Sequence, residues 1–104
     1  MATTEPARPV KPALPGQPGP VGTMRYWAAA KAATGTAEEP YAARTLAEAL
    51  DAARRRHAGS PEFARVLVRC SFLVDGAPVG TRDHASVQLA EGGTVEVLPP
   101  FAGG

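Results

Sequence analysis

The residues that ordinary folding does not explain are the last six, Pro99-Pro100-Phe101-Ala102-Gly103-Gly104. Two successive glycines add no packing and carry the largest ordering penalty of any residue type. What Gly103 and Gly104 offer is an unhindered α-carboxylate on Gly104. Pro99 and Pro100 stiffen the base of this tail. Residues 99–104 can project up to about 20 Å, at roughly 3.3–3.6 Å per residue, which is enough to thread a narrow tunnel in another protein. A terminal carboxyl group ionises at about 3.3–3.7, and its resonance-stabilised anion resists nucleophiles until it is activated. Adenylation turns it into a mixed anhydride with a good leaving group. Sulfide then yields a thiocarboxylate, a cysteine a thioester, and a lysine an amide. The sequence has no Gly-rich phosphate loop, so the chain is expected to bind no cofactor and ATP to be used by a partner adenylating enzyme. A frayed end is the plain alternative for a Gly-Gly pair alone; it weakens when the pair follows a proline pair and an ordered domain.

Other reactive side chains are sparse. Cys70 is the single cysteine, which excludes an internal disulfide and any Cys-rich zinc site and makes the cytoplasm the expected compartment. It alternates with Val66, Val68, Phe72 and Val74 and is expected as a small core residue rather than a nucleophile. His57 and His84 have no partner at ligand spacing, so no metal site is expected. Arg54-Arg55-Arg56 complement a helix C-terminus and are expected on a solvated face. Lys31 is expected as an exposed, solubilising residue. Eleven Lys and Arg against ten Asp and Glu give a net charge of +1, too little to predict nucleic-acid or anionic-membrane binding. No apolar run approaches a membrane span, and the N-terminus lacks the pattern of an export signal. With 104 residues there is room for one small domain, and a deep private catalytic pocket would compete with its core. A carrier, subunit or binding module is therefore the expected class.

The elements that must position the tail are read from pattern. Prolines at 6, 9, 12, 15, 18 and 20, with almost no apolar side chains among them, make residues 1–20 an expected disordered or polyproline-like arm. Its spacing also suits a proline-binding groove, although a solvated extension is the simpler reading. Met24-Arg25-Tyr26-Trp27 reads as a strand running into the helix-forming Ala28–Ala33, which Gly35 ends. Glu38–Arg44 reads as a second strand, irregular or at an edge because of Pro40. Thr45-x-x-Glu48 is a capping box that opens a helix. Its apolar face is Leu46, Leu50, Ala53 and His57, and Gly59 is its expected stop. Val66–Val74 alternates strictly and reads as a strand with one apolar face. Asp75-Gly76 marks a hairpin to Ala77-Pro78-Val79. Thr81–Glu91 is a polar loop around Val87 and Leu89, and Thr94–Leu98 is the last strand.

This order predicts an α+β fold of the β-grasp (ubiquitin-like) type over 21–98. One main helix crosses a mixed sheet, the first and last strands are parallel neighbours, and residues 99–104 form a flexible tail. A ferredoxin-like sandwich competes, but 81–89 is too short and polar to supply its second helix.

Met24–Ala30, the capped helix at 45–57, Val74-Asp75-Gly76-Ala77-Pro78-Val79 and Val97-Leu98-Pro99-Pro100-Phe101-Ala102-Gly103-Gly104 together resemble the MoaD/ThiS family of ubiquitin-like sulfur carriers over about residues 21–104. The aromatic-Ala-Ala-Ala opening and the Pro-Pro ending most resemble the branch that supplies the small subunit of molybdopterin synthase. That resemblance implies a carrier, not catalytic alone, whose Gly104 is adenylated by a ubiquitin-activating-type enzyme and converted to a thiocarboxylate. It further implies sulfur delivery, in the active site of the molybdopterin synthase large subunit, to cyclic pyranopterin monophosphate in molybdenum cofactor biosynthesis. Phe101, Pro99 and Pro100 fall where the family's tail meets its partners, and a hydrophobic sheet surface is expected to dock them. The long arm, Trp27 in place of the usual phenylalanine, and Pro40 depart from the family pattern. The rivals are another sulfur-acceptor pathway (cysteine, thiamine or natural-product synthesis), a protein modifier joined to lysines through Gly104, and a plain interaction module.

Overall fold

Along Val21–Tyr26 the side chains alternate, with Met24 and Tyr26 buried and Val21 and Arg25 exposed. In the computed structural model, which describes residues 19–100, this segment is strand β1. It is followed by α1 (Ala28–Thr34), β2 (Glu38–Ala42), α2 (Leu46–Arg56), α3 (Pro61–Leu67), β3 (Ser71–Val74), β4 (Ala77–Pro78), a 3₁₀ turn at His84–Ser86 and β5 (Thr94–Leu98). The strands form one five-stranded sheet in the order β2-β1-β5-β3-β4. β1 and β5 pair in parallel, and every other neighbouring pair is antiparallel. This is the expected β-grasp. Apart from Gly19 and Pro20, the Pro-rich arm lies outside the described residues.

Registers place Tyr26, Val97 and Phe72 in one row across the sheet and Met24, Val95 and Val74 in the next. The helices cover this face with Ala30 of α1, Leu46, Ala49, Leu50 and Ala53 of α2, and Phe63 and Leu67 of α3. Each large apolar side chain buried there is worth about 1.5–3 kcal/mol. Pro40 is tolerated because β2 is an edge strand. Gly35 closes α1 at φ 77°, and Asp75 and Gly76 both take the positive φ of a primed hairpin turn. The loop before β5 is stapled to the start of α2: Leu46 N–H donates to Val87 (2.9 Å) and Leu89 N–H to Arg44 (2.8 Å), and both Val87 and Leu89 are buried.

Several local expectations are corrected. β1 begins at Val21, three residues before the expected strand. Gly22 makes this possible, since a Cβ there would come within 2.3 Å of the Tyr41 ring. In the capping box Thr45 Oγ1 accepts from Glu48 N–H as expected, but Glu48 accepts from Arg44 N–H and not from the cap itself. α2 ends at Arg56, with His57 as its cap in place of Gly59. The largest difference lies at 60–70. The expected strand Val66–Val74 is confined to Ser71–Val74, and a third helix precedes it. Ser60 caps this helix by accepting from Phe63 N–H, Pro61 occupies its first turn, and Phe63 and Leu67, four apart, fill the core. The alternation of 66–70 is therefore coincidental. Val66 is on the helix, Val68 is 77% exposed, and Cys70 lies in the turn, with its thiol donating to Val66 O.

If Pro61–Leu67 is a core helix, Phe63→Ala should cost about 3–5 kcal/mol in urea unfolding, and Ser60→Ala about 0.5–2 kcal/mol. Val68→Ser should stay within about 0.5 kcal/mol, as a solvent-exposed position does. A large loss at Val68 would restore the strand reading.

Candidate functional site

Strand β5 runs through the middle of the sheet between β1 and β3, and Pro99-Pro100 follows directly on its last residue. Pro99 is buried and Pro100 exposed, so the chain reaches the surface at Pro100. A cleft of about 340 Å³ opens there, its walls including Trp27, Arg69, Leu98, Pro99 and Pro100. A smaller hollow of about 110 Å³ lies alongside, between Ala29, Val66, Arg69 and the two prolines. Of the expected site residues, the structure brings Pro99 and Pro100 to this rim. Phe101, Gly103 and Gly104 lie outside the described residues.

Trp27 follows β1 and is the N-cap residue of α1. Its indole N–H donates to Glu96 Oε1 (3.1 Å), and the Arg25 guanidinium lies 5.6 Å from its ring centre. A phenylalanine could not make the bond to Glu96, which gives the departure at Trp27 a local reason. Ala28 enters the helix at φ 47°, a conformation that costs an L-residue about 1–2 kcal/mol. The outer face of the sheet does not match the expected hydrophobic docking surface. Its central row is Glu38, Arg25, Glu96, Leu73 and Pro78, with Arg25 paired to Glu38 at 3.1 Å, so apolar contact is concentrated near Trp27 and Leu98.

A second cluster of titratable groups was not anticipated. Glu39 on β2 points to the helical side, where its Oε2 accepts from Tyr26 Oη (2.5 Å) and Arg56 (3.0 Å) and lies 2.8 Å from His57 Nε2. Burial opposes ionisation of Glu39, but the bonds from Tyr26, His57 and Arg56 outweigh it and hold the carboxyl below its ordinary range. Burial, with Glu39 adding to it, drives the Tyr26 phenol far above its usual value. Tyr26, His57 and Phe63 also meet edge to face. The cluster clips the edge strand to the end of α2, and all of Glu39's bonds are spent on Tyr26, Arg56 and His57, so its work is structural. Arg56 is thus paired and not simply solvated, and His57 has a carboxylate neighbour in Glu39.

The remaining side chains offer little chemistry. Burial lifts the Cys70 thiol to about 11, which keeps it protonated at neutral pH. Among the described residues no group of three or more His, Cys, Asp or Glu is placed to hold a metal, and no helix is long and apolar enough to cross a membrane. The cleft and the cluster escaped sequence reasoning because each joins residues far apart in the chain. The unexplained Trp27 was the one available signal.

A model of the ThiS family matches residues 24–104. No curated protein matches the chain at a significant level. Among solved structures, small archaeal modifier protein 1 from Methanosarcina acetivorans superposes with a TM-score of 0.69 at 17% identity, over 82% of this chain and 97% of that one. A putative molybdopterin converting factor subunit 1 from Pyrococcus furiosus gives 0.63 at 20%, over 80% and 100%. A chain in the complex of subunits 1 and 2 of the Helicobacter pylori molybdopterin-converting factor gives 0.57 at 19%, over 81% and 99%. At these identities the likeness is one of fold.

The Glu39 cluster generates a pH signature. A carboxyl held below its unfolded value contributes stability that is complete above that value, near 4.5, and is lost as pH falls through the folded one. Tyr26, raised above 10.0, contributes stability present below pH 10 and lost as pH rises beyond it. Urea midpoints measured across pH should therefore fall on both flanks. Glu39→Gln should cost roughly 1–3 kcal/mol at neutral pH and flatten the acid limb; an unchanged acid limb would show that Glu39 is not its source.

Proposed function

Because this chain belongs to the ThiS family of ubiquitin-like sulfur carriers and modifiers, we propose that it is a sulfur carrier that reacts through the carboxylate of Gly104. The carrying observation is that the family match runs from β1 through to Gly104, onto a tail rooted in the central strand of the sheet. In the proposed cycle a ubiquitin-activating-type enzyme lets the Gly104 carboxylate attack the α-phosphorus of ATP, releasing pyrophosphate and forming an acyl adenylate. Hydrosulfide then attacks the carbonyl carbon, AMP leaves with the C–O bond electrons, and a thiocarboxylate and a proton are formed. The chain supplies the acyl group and no catalytic machinery. Gly103 leaves the reacting carbon unhindered, and Phe101 with the two prolines guides the tail into its partners. The proposed setting is the cytoplasm, and neither nucleic acid nor membrane has a part.

The acceptor we propose is the large subunit of molybdopterin synthase, with sulfur passing to the pterin precursor of the molybdenum cofactor. Support comes from the Pyrococcus subunit 1 fold and from the Helicobacter structure, in which subunit 1 is held by subunit 2. A second reading, a modifier joined to lysines, draws support from the archaeal modifier protein, whose fold superposes well.

Top-down mass spectrometry of the intact protein from its native host tests this. The expected result is exchange of one oxygen for sulfur, localised to Gly104 and lost on deletion of Gly104. Gly104–lysine conjugates that resist thiols would favour the modifier. A free carboxylate that persists after incubation with ATP, sulfide and the host's adenylating enzyme would overturn sulfur carriage. Sulfur transfer that the purified large subunit cannot accept would redirect the carrier to another pathway.

A further inference from the structure

Arg69 is the common wall of three hollows, two of them at the root of the tail. It lines the cleft with Trp27 and Leu98, the hollow between Ala29 and the prolines, and, away from the prolines, a third of about 380 Å³ bordered by Glu62, Arg65, Val66 and Val68. In the two hollows that touch Pro99 and Pro100 it is the single charged side chain, and no carboxylate faces it there. It is exposed and makes no ion pair among the described residues, whereas the neighbouring Arg65 is bonded to Glu62 at 2.8 Å. Its backbone is fixed, since Arg69 N–H donates to Val66 O (3.0 Å) and Cys70 N–H to Leu67 O (3.1 Å). Val68 beside it is 77% exposed and Trp27 across the cleft 44% exposed. Together these place an exposed cation on a fixed backbone, framed by apolar surface beside Pro99 and Pro100.

We infer that Arg69 is a docking contact, and that its occupant is a carboxylate on the rim of the adenylating enzyme's tail channel, with Val68 and Trp27 excluding water around the pair. This rests on the sulfur-carrier reading above. The charge complement of an isolated guanidinium is an anion, and planar guanidinium matches carboxylate through paired N–H bonds. The nucleotide itself is not that anion. A tail threaded into a channel can carry the reacting carboxylate up to about 13–14 Å beyond Pro100. The anion that meets Arg69 therefore belongs to the partner's surface, and Arg69 positions the carrier without touching the reacting atoms.

The test measures binding of the full chain to the purified adenylating enzyme of the native host, at low and high salt. Arg69→Ala should weaken binding about tenfold, and Arg69→Glu about a hundredfold, with a shallower salt dependence. Arg55→Glu, a charge reversal at an exposed α2 position that lines none of these hollows, should leave binding unchanged. Thermal midpoints should not differ among the variants, since Arg69 makes no ion pair among the described residues. Once the enzyme is saturated with carrier, adenylation should proceed at the unmodified rate. Equal binding by the unmodified chain and Arg69→Glu would overturn the inference while leaving sulfur carriage intact. Equal weakening by Arg55→Glu would overturn it in favour of a net-charge effect. Failure of the unmodified chain to bind or be adenylated would overturn the underlying reading and this inference with it.

Discussion

The parallel pairing of β1 with β5 is the constraint on which the rest of the structure depends. Parallel neighbours cannot be joined by a tight turn, so everything between them must cross over the sheet and return. α2 and α3 make that crossing, and their apolar faces supply the cover that the rows through Met24 and Tyr26 need. Pairing with β3 on its other side makes β5 the middle of five strands. Hydrogen-bonded ladders flank β5 on both sides up to Val97, Ser71 pairs Leu98 on the β3 side, and Trp27 N–H adds a bond to Val97 O at 3.2 Å. The root of the tail thus stands on the most constrained strand of the domain, and its direction is set by the whole sheet.

Much of this was legible because the signals are local and agree with one another. Thr45 with Glu48, Gly35, Asp75-Gly76 and the alternation of Thr94–Leu98 each have a backbone reason, and the β-grasp follows from their order. The failure at 66–70 has an equally definite cause. β-branched residues at every second position satisfy the strand pattern, while the helix that forms is specified by Ser60-Pro61 and by the spacing of Phe63 and Leu67. A short helix of seven residues has little propensity to declare itself; burial of Phe63 against Tyr26, with ring centres 5.7 Å apart, decides the outcome. Ser60 strengthens it by also donating to Ala33 O at 3.1 Å, which ties α3 to α1, a contact that no local pattern contains.

The candidate site divides in the same way. The chemistry proposed for Gly104 could be argued from residue type alone, because an unhindered carboxylate needs no neighbours to be recognised. The surroundings could not. Trp27, Arg69 and Pro99 are separated by tens of residues and meet through the β1–β5 pairing and the turn after α3. The Glu39 cluster, which draws on β1, β2 and the end of α2, was hidden for the same reason.

The two prolines then do more than stiffen. Ser71 opposite Leu98 is the last rung of the β3–β5 ladder, and neither Pro99 nor Pro100 has an N–H with which to continue it. A residue with a free N–H at these positions would let the ladder run on and bind the following chain to the edge of β1 or β3. Two prolines in succession stop the sheet at Leu98, and burial of the first fixes where the second emerges. The residues that end the strand are therefore the same ones that deny the ladder its next two N–H donors. The carrier role proposed for Gly104 draws on that stop, because a tail entering another protein's channel cannot also be a rung of its own sheet.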